Sequence, residues 1–183
     1  HVLYIVNERP SDRQTAEAVQ MGDEAQPTPI ALFSGDTLFS GGTGKFFEGS
    51  AAEMASILTR ISKLPPATKV FCGHEYTLNN YKYALALEPD NATVQDRIFS
   101  ARRLRQDRLP TVPSTVADEM TANPYMRVVT SKAACGKLSM AMGEITGDRQ
   151  FKEAQADSTT VLAELRRVRD DNLLSLKMDD INA

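Results

Sequence analysis

At the centre of this sequence is Ala31-Leu-Phe-Ser-Gly-Asp-Thr-Leu-Phe-Ser-Gly-Gly-Thr-Gly-Lys-Phe-Phe-Glu-Gly49. An apolar run from Ile30 to Phe33 stops at a Ser-Gly pair, and Asp36 follows at once. The pattern predicts a buried strand with Asp36 at its carboxyl end, where the ligand and metal sites of α/β sheets gather. Four glycines between positions 41 and 49 surround Lys45. Such a loop lets the backbone approach a bound group closely.

Two other segments have the same design. Lys69-Val-Phe-Cys-Gly-His74 is a short apolar run, a glycine and then a side chain that can bind a metal. The chain also opens with His1, directly before an apolar run that ends at Val6. The sequence therefore predicts three strands that each carry one oxygen or nitrogen ligand at an end.

Composition restricts the class of protein. The chain has 183 residues, of which 42% are hydrophobic and 25% charged, and this is typical of a globular protein of one domain or one and a half. A net charge of -3 gives no electrostatic argument for nucleic acid or an anionic membrane as a partner. No apolar run approaches the roughly 20 residues that a membrane span needs.

The chain is expected to begin with strands and continue with helices. The predicted strands are Val2–Val6, Ile30–Phe33 and Thr68–Cys72. A long polar loop over Asn7–Thr28 is predicted between the first two strands.

The predicted helices follow from caps and apolar spacing. They are a helix capped by Ser50 with Glu53 and ended by Pro65-Pro66, a helix over Thr77–Leu87, a helix capped by Asn91 and running to about Asp107, a short helix capped by Ser114 and ending before Asn123, and a helix over Ser158–Leu174. Because Lys132–Asp148 has little periodicity and three glycines, irregular structure is expected there, followed by a frayed tail from Leu174 to Ala183. The change from strands to helices near Leu87 predicts two domains, residues 1–87 and 88–183.

A set of short motifs, here called sequence words, forms a recognisable pattern. They are Ser34-Gly-Asp-Thr-Leu-Phe39, Gly44-Lys-Phe-Phe-Glu-Gly49, Leu64-Pro-Pro66, Cys72-Gly-His-Glu-Tyr-Thr77, Asn79-Asn80, Glu88-Pro89 and Asn123-Pro-Tyr-Met-Arg127. Together they closely resemble the glyoxalase II (hydroxyacylglutathione hydrolase) family of the metallo-β-lactamase superfamily. The resemblance covers nearly the whole chain and is weakest over Asn7–Thr28 and Val129–Asp157. It implies an α/β fold: the C-terminal half of an αββα sandwich, followed by a helical domain that binds glutathione.

The resemblance also implies a site for two divalent metal ions, zinc or alternatively iron or manganese. Asp36 would bridge the two metals, with His1 on one metal and His74 on the other, and Asp36 and His74 would be the catalytic groups. Imidazole and carboxylate are suitable ligands for such metals. The implied activity, part of methylglyoxal detoxification, is hydrolysis of the thioester S-lactoylglutathione to lactate and glutathione by a metal-activated water.

The same resemblance implies a set of substrate-binding residues. Lys45 would bind a glutathione carboxylate or the developing oxyanion, and Tyr76 would donate its hydroxyl to the tripeptide. Arg166 and Arg169 lie three residues apart, on one face of a helix, and would bind a carboxylate. Phe47 stands where the family often has tyrosine, so one hydroxyl contact is lost, and Arg169 stands where lysine is common.

Plainer interpretations of these residues stay open. The glycines of residues 41–49 could only form turns, the two arginines could lie on a solvated helix face, and Tyr76 could be a core tyrosine with a satisfied hydroxyl.

The family's His-x-His-x-Asp-His word would lie before His1, and the sequence holds only two histidines. This chain is therefore expected to be a fragment that is inactive and poorly soluble alone, from an enzyme that is monomeric when intact and either cytoplasmic or mitochondrial. One alternative is a superfamily relative that acts on another glutathione thioester or on a persulfide. Another is a non-catalytic remnant that binds metal weakly or binds a partner.

Overall fold

The computed structural model describes residues 4–8, 28–152 and 156–180. The strands are β1 Tyr4–Glu8, β2 Thr28–Gly35, β3 Leu38–Phe39, β4 Gly42–Thr43, β5 Lys69–Cys72 and β6 Ser114–Thr115. They form a four-stranded sheet in the order β1-β2-β5-β6 and a separate hairpin of β3 and β4. Strands β2 and β5 are parallel, whereas β1 pairs antiparallel with β2 and β6 antiparallel with β5.

Most of the remaining described residues are helical. The helices are α1 Ala51–Ile61, α2 Thr77–Leu87, α3 Ala92–Gln106, α4 Val116–Ala122, α5 Pro124–Thr130, α6 Lys132–Thr146, α7 Arg149–Lys152, α8 Ser158–Asp170 and α9 Ser175–Asp180. The predicted fold class, α/β with the sheet followed by helices, is confirmed. No helix in the described part of the chain is both long enough and apolar enough to cross a membrane.

Helix α1 makes the crossover between the parallel strands β2 and β5. It begins with the predicted capping box: the Ser50 hydroxyl accepts from the Glu53 amide, and the Glu53 carboxylate accepts from the Ser50 amide. Its apolar stripe buries Met54, Leu58 and Ile61. A crossover helix of this kind covers one face of a parallel pair and leaves the carboxyl ends of both strands at the same edge of the sheet.

One continuous core joins the sheet to the helices. It runs from Leu32 and Val70 on the sheet to Leu165 on α8, and all three are fully buried. The Tyr83 hydroxyl donates to the Leu165 carbonyl at 2.6 Å, so that a buried polar group also links α2 to α8. The predicted boundary at Leu87 lies within this core and stays a prediction.

The opposite face of the sheet is apolar and largely exposed. Phe33 on β2 stacks on Phe71 of β5 with ring centroids 5.0 Å apart, and Phe33 is paired with Tyr4 on β1. Tyr4 is 68% exposed. The exposure of this face in the described residues agrees with the half of an αββα sandwich that the resemblance implies.

An ion pair explains two of the sequence words. Arg127 binds Glu88 through both of its terminal nitrogens, with one of the two bonds at 3.1 Å, and both side chains are mostly buried. Bidentate pairs of this type fix relative orientation as well as contributing stability. The Glu88-Pro89 word thus fixes the end of α2 against Arg127, the last residue of the Asn123-Pro-Tyr-Met-Arg127 segment.

The prediction of irregular structure over Lys132–Asp148 is wrong, because residues 132–146 form helix α6. Ser131 caps the helix by accepting from the Ala134 amide, and Gly147 ends it in a left-handed conformation with φ 75°. The buried face is built largely from small side chains, so its hydrophobic periodicity is weak in the sequence. Close packing against α5 and α8, rather than a strong apolar stripe, therefore stabilises this helix.

Several boundaries also differ from prediction. Thr115, not Ser114, caps α4, because Ser114 is paired in β6. The last predicted helix ends at Asp170, where a turn with Asn172 at φ 56° leads into α9, and Met178 of α9 is buried instead of frayed. Strand β1 extends to Glu8, while the beginning of the predicted strand and most of the predicted loop lie outside the described residues.

A carboxyl group is completely buried where the hairpin meets α4. Glu119 is 0% exposed, and its Oε2 accepts from the Gly41 amide at 2.9 Å and from Asn123 Nδ2 at 2.8 Å. Burial raises the pKa of the Glu119 carboxyl above its ordinary value of 4.5, and the hydrogen bonds to it oppose that rise.

The raised pKa of Glu119 predicts a pH dependence of stability. The unfolded chain releases this proton near pH 4.5, whereas the folded protein keeps it to higher pH. The contribution of this group to stability is thus fully present below about pH 4.5 and is lost as pH rises through the folded pKa. We expect Glu119→Gln, which cannot titrate, to gain stability relative to the parent chain as pH rises from about 4.5. Urea unfolding of both proteins across this range measures the difference, and a constant difference would contradict the prediction.

Candidate functional site

Asp36 and His74 lie side by side because their strands are parallel. Asp36 follows β2 and His74 lies two residues after β5, and the register pairs Gly35 with Cys72 at the ends of these strands. The Gly73 amide donates to the Gly35 carbonyl at 2.9 Å, which extends the pairing beyond the strands. His74 Nε2 therefore lies 3.4 Å from Asp36 Oδ1, with both side chains at least half exposed.

Two glycines leave the space that Asp36 occupies. A Cβ at position 73 would lie 2.8 Å from Asp36 Oδ1, and a Cβ at position 44 would lie 2.0 Å from the Asp36 carbonyl oxygen. Both distances are too short for a side chain, so the backbone of two separate segments packs directly against this aspartate. At these two positions the glycines do more than form turns.

Aromatic rings hold His74 in its orientation. Its imidazole stacks on the Tyr76 ring with centroids 4.9 Å apart and planes 16° apart, while Phe39 packs edge-on against Tyr76 at 5.4 Å. Tyr76 is 49% exposed, so it is not a core tyrosine. The ring faces restrict the imidazole without using either of its nitrogens, of which Nε2 faces Asp36.

Seven of the eight predicted site residues line one cleft of about 460 Å³. The eighth, His1, lies outside the described residues. The cleft brings together the end of β2, the loop after β4, the turn after β5 and helix α8. The seven residues are Asp36, Lys45, Phe47, His74, Tyr76, Arg166 and Arg169.

Two residues of the glycine-rich segment, Lys45 and Phe47, are exposed where they line the cleft. Lys45 is exposed, and Phe47 is 81% exposed. An aromatic ring this exposed contributes little to the core of the described chain. Both side chains are therefore free to contact a molecule in the cleft.

The two arginines of α8 are held by different contacts. Arg166 donates from Nη1 to the Thr43 carbonyl at 3.0 Å and from Nη2 to Asp170 at 2.7 Å. Arg169 places its guanidinium over the Tyr83 ring, 4.9 Å from the centroid, and burial lowers its pKa. Neither arginine lies on a freely solvated helix face.

The charges along the cleft are mostly positive. Lys45, Arg166 and Arg169 are basic side chains, whereas Asp36 is the one carboxylate among the lining residues. A molecule with more than one carboxylate fits this pattern best.

Comparison with known proteins identifies the family. The model of the family described as "Hydroxyacylglutathione hydrolase C-terminus" matches residues 75–172, which is more than half of the chain. A cytoplasmic hydroxyacylglutathione hydrolase of Arabidopsis thaliana is 45% identical over 120 residues, which cover 63% of this chain and 46% of that protein. A probable hydroxyacylglutathione hydrolase of Schistosoma mansoni is 41% identical over 129 residues, covering 70% and 48% respectively. A hydroxyacylglutathione hydrolase of Pseudomonas aeruginosa is 50% identical over 101 residues, covering 55% and 39%.

The chain belongs to the hydroxyacylglutathione hydrolase family. It spans about half the length of the relatives that it matches, or less. The family match begins at residue 75, so it includes Tyr76, Arg166 and Arg169 but not Asp36 or His74. The resemblance predicted from the sequence words is thereby confirmed at the level of the family.

Five other residues that were not predicted as site residues also line the cleft. The Asn79-Asn80 word gave a signal for two of them, and the Asn80 amide indeed donates to the Ser40 carbonyl at 3.0 Å. Phe39 and Thr43 look like ordinary strand residues in the sequence. The five are Phe39, Thr43, Gly44, Asn79 and Asn80.

The donor set in the cleft agrees in part with the metal site that the family resemblance implies. Asp36 and His74 supply one carboxylate and one imidazole at hydrogen-bonding separation, a donor pair suited to zinc or iron. Within the described ranges no group of three or more His, Cys, Asp or Glu side chains is arranged to hold a metal ion. Glu75, next to His74, is instead bound to the backbone and hydroxyl of Thr111.

We predict that Arg166→Met lowers the free energy of unfolding by about 2 kcal/mol, because two hydrogen bonds from a charged group are lost. Arg167→Met is the matched control: Arg167 is about half exposed and pairs with Glu164 and Asp171, three and four residues away in the chain, so its loss should cost less than about 1 kcal/mol. Chemical unfolding of the two variants compares these effects. Equal losses of unfolding free energy would contradict a stabilising role for the hydrogen bond from Arg166 to the Thr43 carbonyl.

Proposed function

We propose that this cleft binds the glutathione part of S-(2-hydroxyacyl)glutathione, such as S-lactoylglutathione, and serves hydrolysis of the thioester to glutathione and a 2-hydroxy acid. The observation that carries the proposal is the cleft itself, where a carboxylate and an imidazole lie beside three cationic side chains. Membership of the hydroxyacylglutathione hydrolase family supports it further.

The cations match the charge of the proposed substrate. Glutathione carries two carboxylates, and Lys45 and Arg169 approach the cleft from separate segments. Charge-assisted hydrogen bonds from such groups are among the stronger ones in proteins. Tyr76 offers a hydroxyl donor, and because its ring stacks on His74 it would link the bound tripeptide to the residues around the reacting thioester.

Asp36 and His74 would hold divalent metal ions, zinc first among the candidates, together with donors outside the described residues such as His1. Ions bound there would supply Lewis acidity for the thioester carbonyl and for the attacking water. Asp36 has two oxygens to share, and the exposed edge of His74 faces the same cleft. The backbone of Gly44 and Gly73 would keep Asp36 in place.

A second candidate function is binding of a glutathione thioester without turnover. It is favoured by the fact that the described residues offer two adjoining donors and no group of three. The substrate cleft does not depend on those further donors, so binding and hydrolysis can be separated by experiment.

The test is hydrolysis of S-lactoylglutathione, followed as loss of thioester absorbance, with metal content measured on the same sample. Turnover that increases with bound metal and disappears in Asp36→Asn supports hydrolysis. Binding without turnover, measured by calorimetry, supports the second candidate. A chain that neither binds nor hydrolyses the thioester overturns both.

We predict that Lys45→Ala weakens binding of S-methylglutathione, a thioether that cannot be hydrolysed, by about tenfold, because one charge-assisted contact is lost. Lys63→Ala is the control, since Lys63 is exposed but lies outside the cleft. Calorimetric titration of the two variants checks this. If both variants bind like the parent chain, Lys45 has no part in ligand binding.

We predict that Gly73→Ala weakens binding of Zn²⁺ at least tenfold, because the new Cβ would lie 2.8 Å from Asp36 Oδ1 and displace that carboxylate. Gly49→Ala is the matched control: its Cβ would meet no atom closer than 3.5 Å. Competition with a chelating dye measures both affinities. Equal affinities in the two variants would count against Asp36 as a ligand.

A further inference from the structure

The completely buried carboxyl group of Glu119 lies outside the cleft and has no role in the chemistry described above. Transfer of a carboxyl group from water to a protein interior is unfavourable unless other groups compensate for it. An apolar side chain of similar size would fill the same space without that cost. The contacts of Glu119 therefore need an explanation beyond packing.

Those contacts lead to the backbone of the β3–β4 hairpin. Glu119 Oε2 accepts from the Gly41 amide at 2.9 Å, and it also accepts from Asn123 Nδ2 at 2.8 Å. The same amide nitrogen of Asn123 donates to the carbonyls of Phe39 and Gly42, at 3.3 and 3.1 Å. Glu119 and Asn123 thus bind three backbone groups of a single turn, and Asn123 is also completely buried.

The hairpin held in this way contacts the cleft on two sides. On one side, Gly44 lies so close to the Asp36 carbonyl that no side chain would fit between them. On the other side, the Thr43 carbonyl accepts from Arg166. Lys45 follows directly in the chain. A displacement of the hairpin would therefore disturb its contacts with Asp36 and Arg166 and change the position of Lys45 at the same time.

We propose that Glu119 is a positioning residue for the cleft, which acts by holding the β3–β4 hairpin in register with Asp36 and Arg166. The proposal rests on the proposed function, because it gives Glu119 a part in ligand binding by that cleft. Asn123 completes the arrangement, since its side chain joins the carboxyl group to both ends of the turn.

The experiment compares three variants with the parent chain. Glu119→Met keeps the approximate volume but removes the acceptor for the Gly41 amide. Glu119→Gln keeps an acceptor oxygen and is the conservative variant. Met142→Ala, a change at a fully buried position on α6, is the control for a loss of stability that does not remove a contact of the hairpin.

Two measurements are made on each protein under conditions where it is folded. The first is the dissociation constant for S-methylglutathione, by calorimetry. The second needs no ligand: amide chemical shifts and hydrogen exchange of Gly41, Gly44 and Lys45, by nuclear magnetic resonance. If Glu119 has a merely structural role, Glu119→Met and Met142→Ala should both lose stability, and neither should change ligand binding by the folded protein.

We expect Glu119→Met to weaken ligand binding at least tenfold and to speed exchange of the Gly41 amide at least tenfold, with shifted resonances at Gly44 and Lys45. Glu119→Gln should bind within about threefold of the parent, and Met142→Ala should bind like the parent. Unchanged hairpin resonances in Glu119→Met, or a loss of affinity no greater than in Met142→Ala, would overturn the proposal. If the parent chain does not bind S-methylglutathione, the proposed function fails instead. In that case the part of the proposal that concerns ligand binding fails as well. The resonances of Gly41, Gly44 and Lys45 still decide whether Glu119 positions the hairpin.

Discussion

The parallel pairing of β2 with β5 is the constraint on which the cleft depends. Its register sets Gly35 opposite Cys72, and the bond from the Gly73 amide to the Gly35 carbonyl continues the pairing past both strand ends. A slip of one residue would turn every side chain to the other face of the sheet. Leu32 and Val70, paired with each other and fully buried, make such a slip unfavourable. Burial of the core thus indirectly fixes the distance between Asp36 and His74.

The helices supply the remaining side chains of the cleft, and the β3–β4 hairpin joins the helices to the sheet. Its residues contact β2 through the Ser34 hydroxyl, which donates to the Leu38 carbonyl at 2.7 Å. They contact α2 through Asn80 and α8 through Arg166. Because these contacts converge on six residues, the donor pair at the sheet edge and the cations of the helices belong to one framework. A cleft built in this way cannot form from either part of the chain alone.

Sequence patterns predicted the parts of this framework that depend on local rules. A strand, a glycine and a polar residue were enough to bring Asp36 and His74 together, and helical spacing set Arg166 and Arg169 on one face. Sequence patterns failed where contacts between residues distant in the chain determine the structure. Helix α6 has small buried side chains that give no apolar stripe, and Glu119, within an Asp-Glu pair at the start of a helix, has the sequence context of an exposed residue. Only the surrounding hairpin explains its burial.

The cations of the cleft differ in how much order a ligand must impose on them. Arg166 is already bound to the Thr43 carbonyl and to Asp170, and the Arg169 guanidinium lies over the Tyr83 ring. Ordering a long side chain on binding costs conformational entropy, of roughly 0.5–1.5 kcal/mol for each immobilised side chain. The two arginines have largely lost that freedom in the folded chain, whereas the exposed Lys45 has not. If the cleft binds the proposed thioester, the helix face would therefore give a fixed geometry for a carboxylate, and Lys45 would supply a charge that can adjust to the remainder of the ligand.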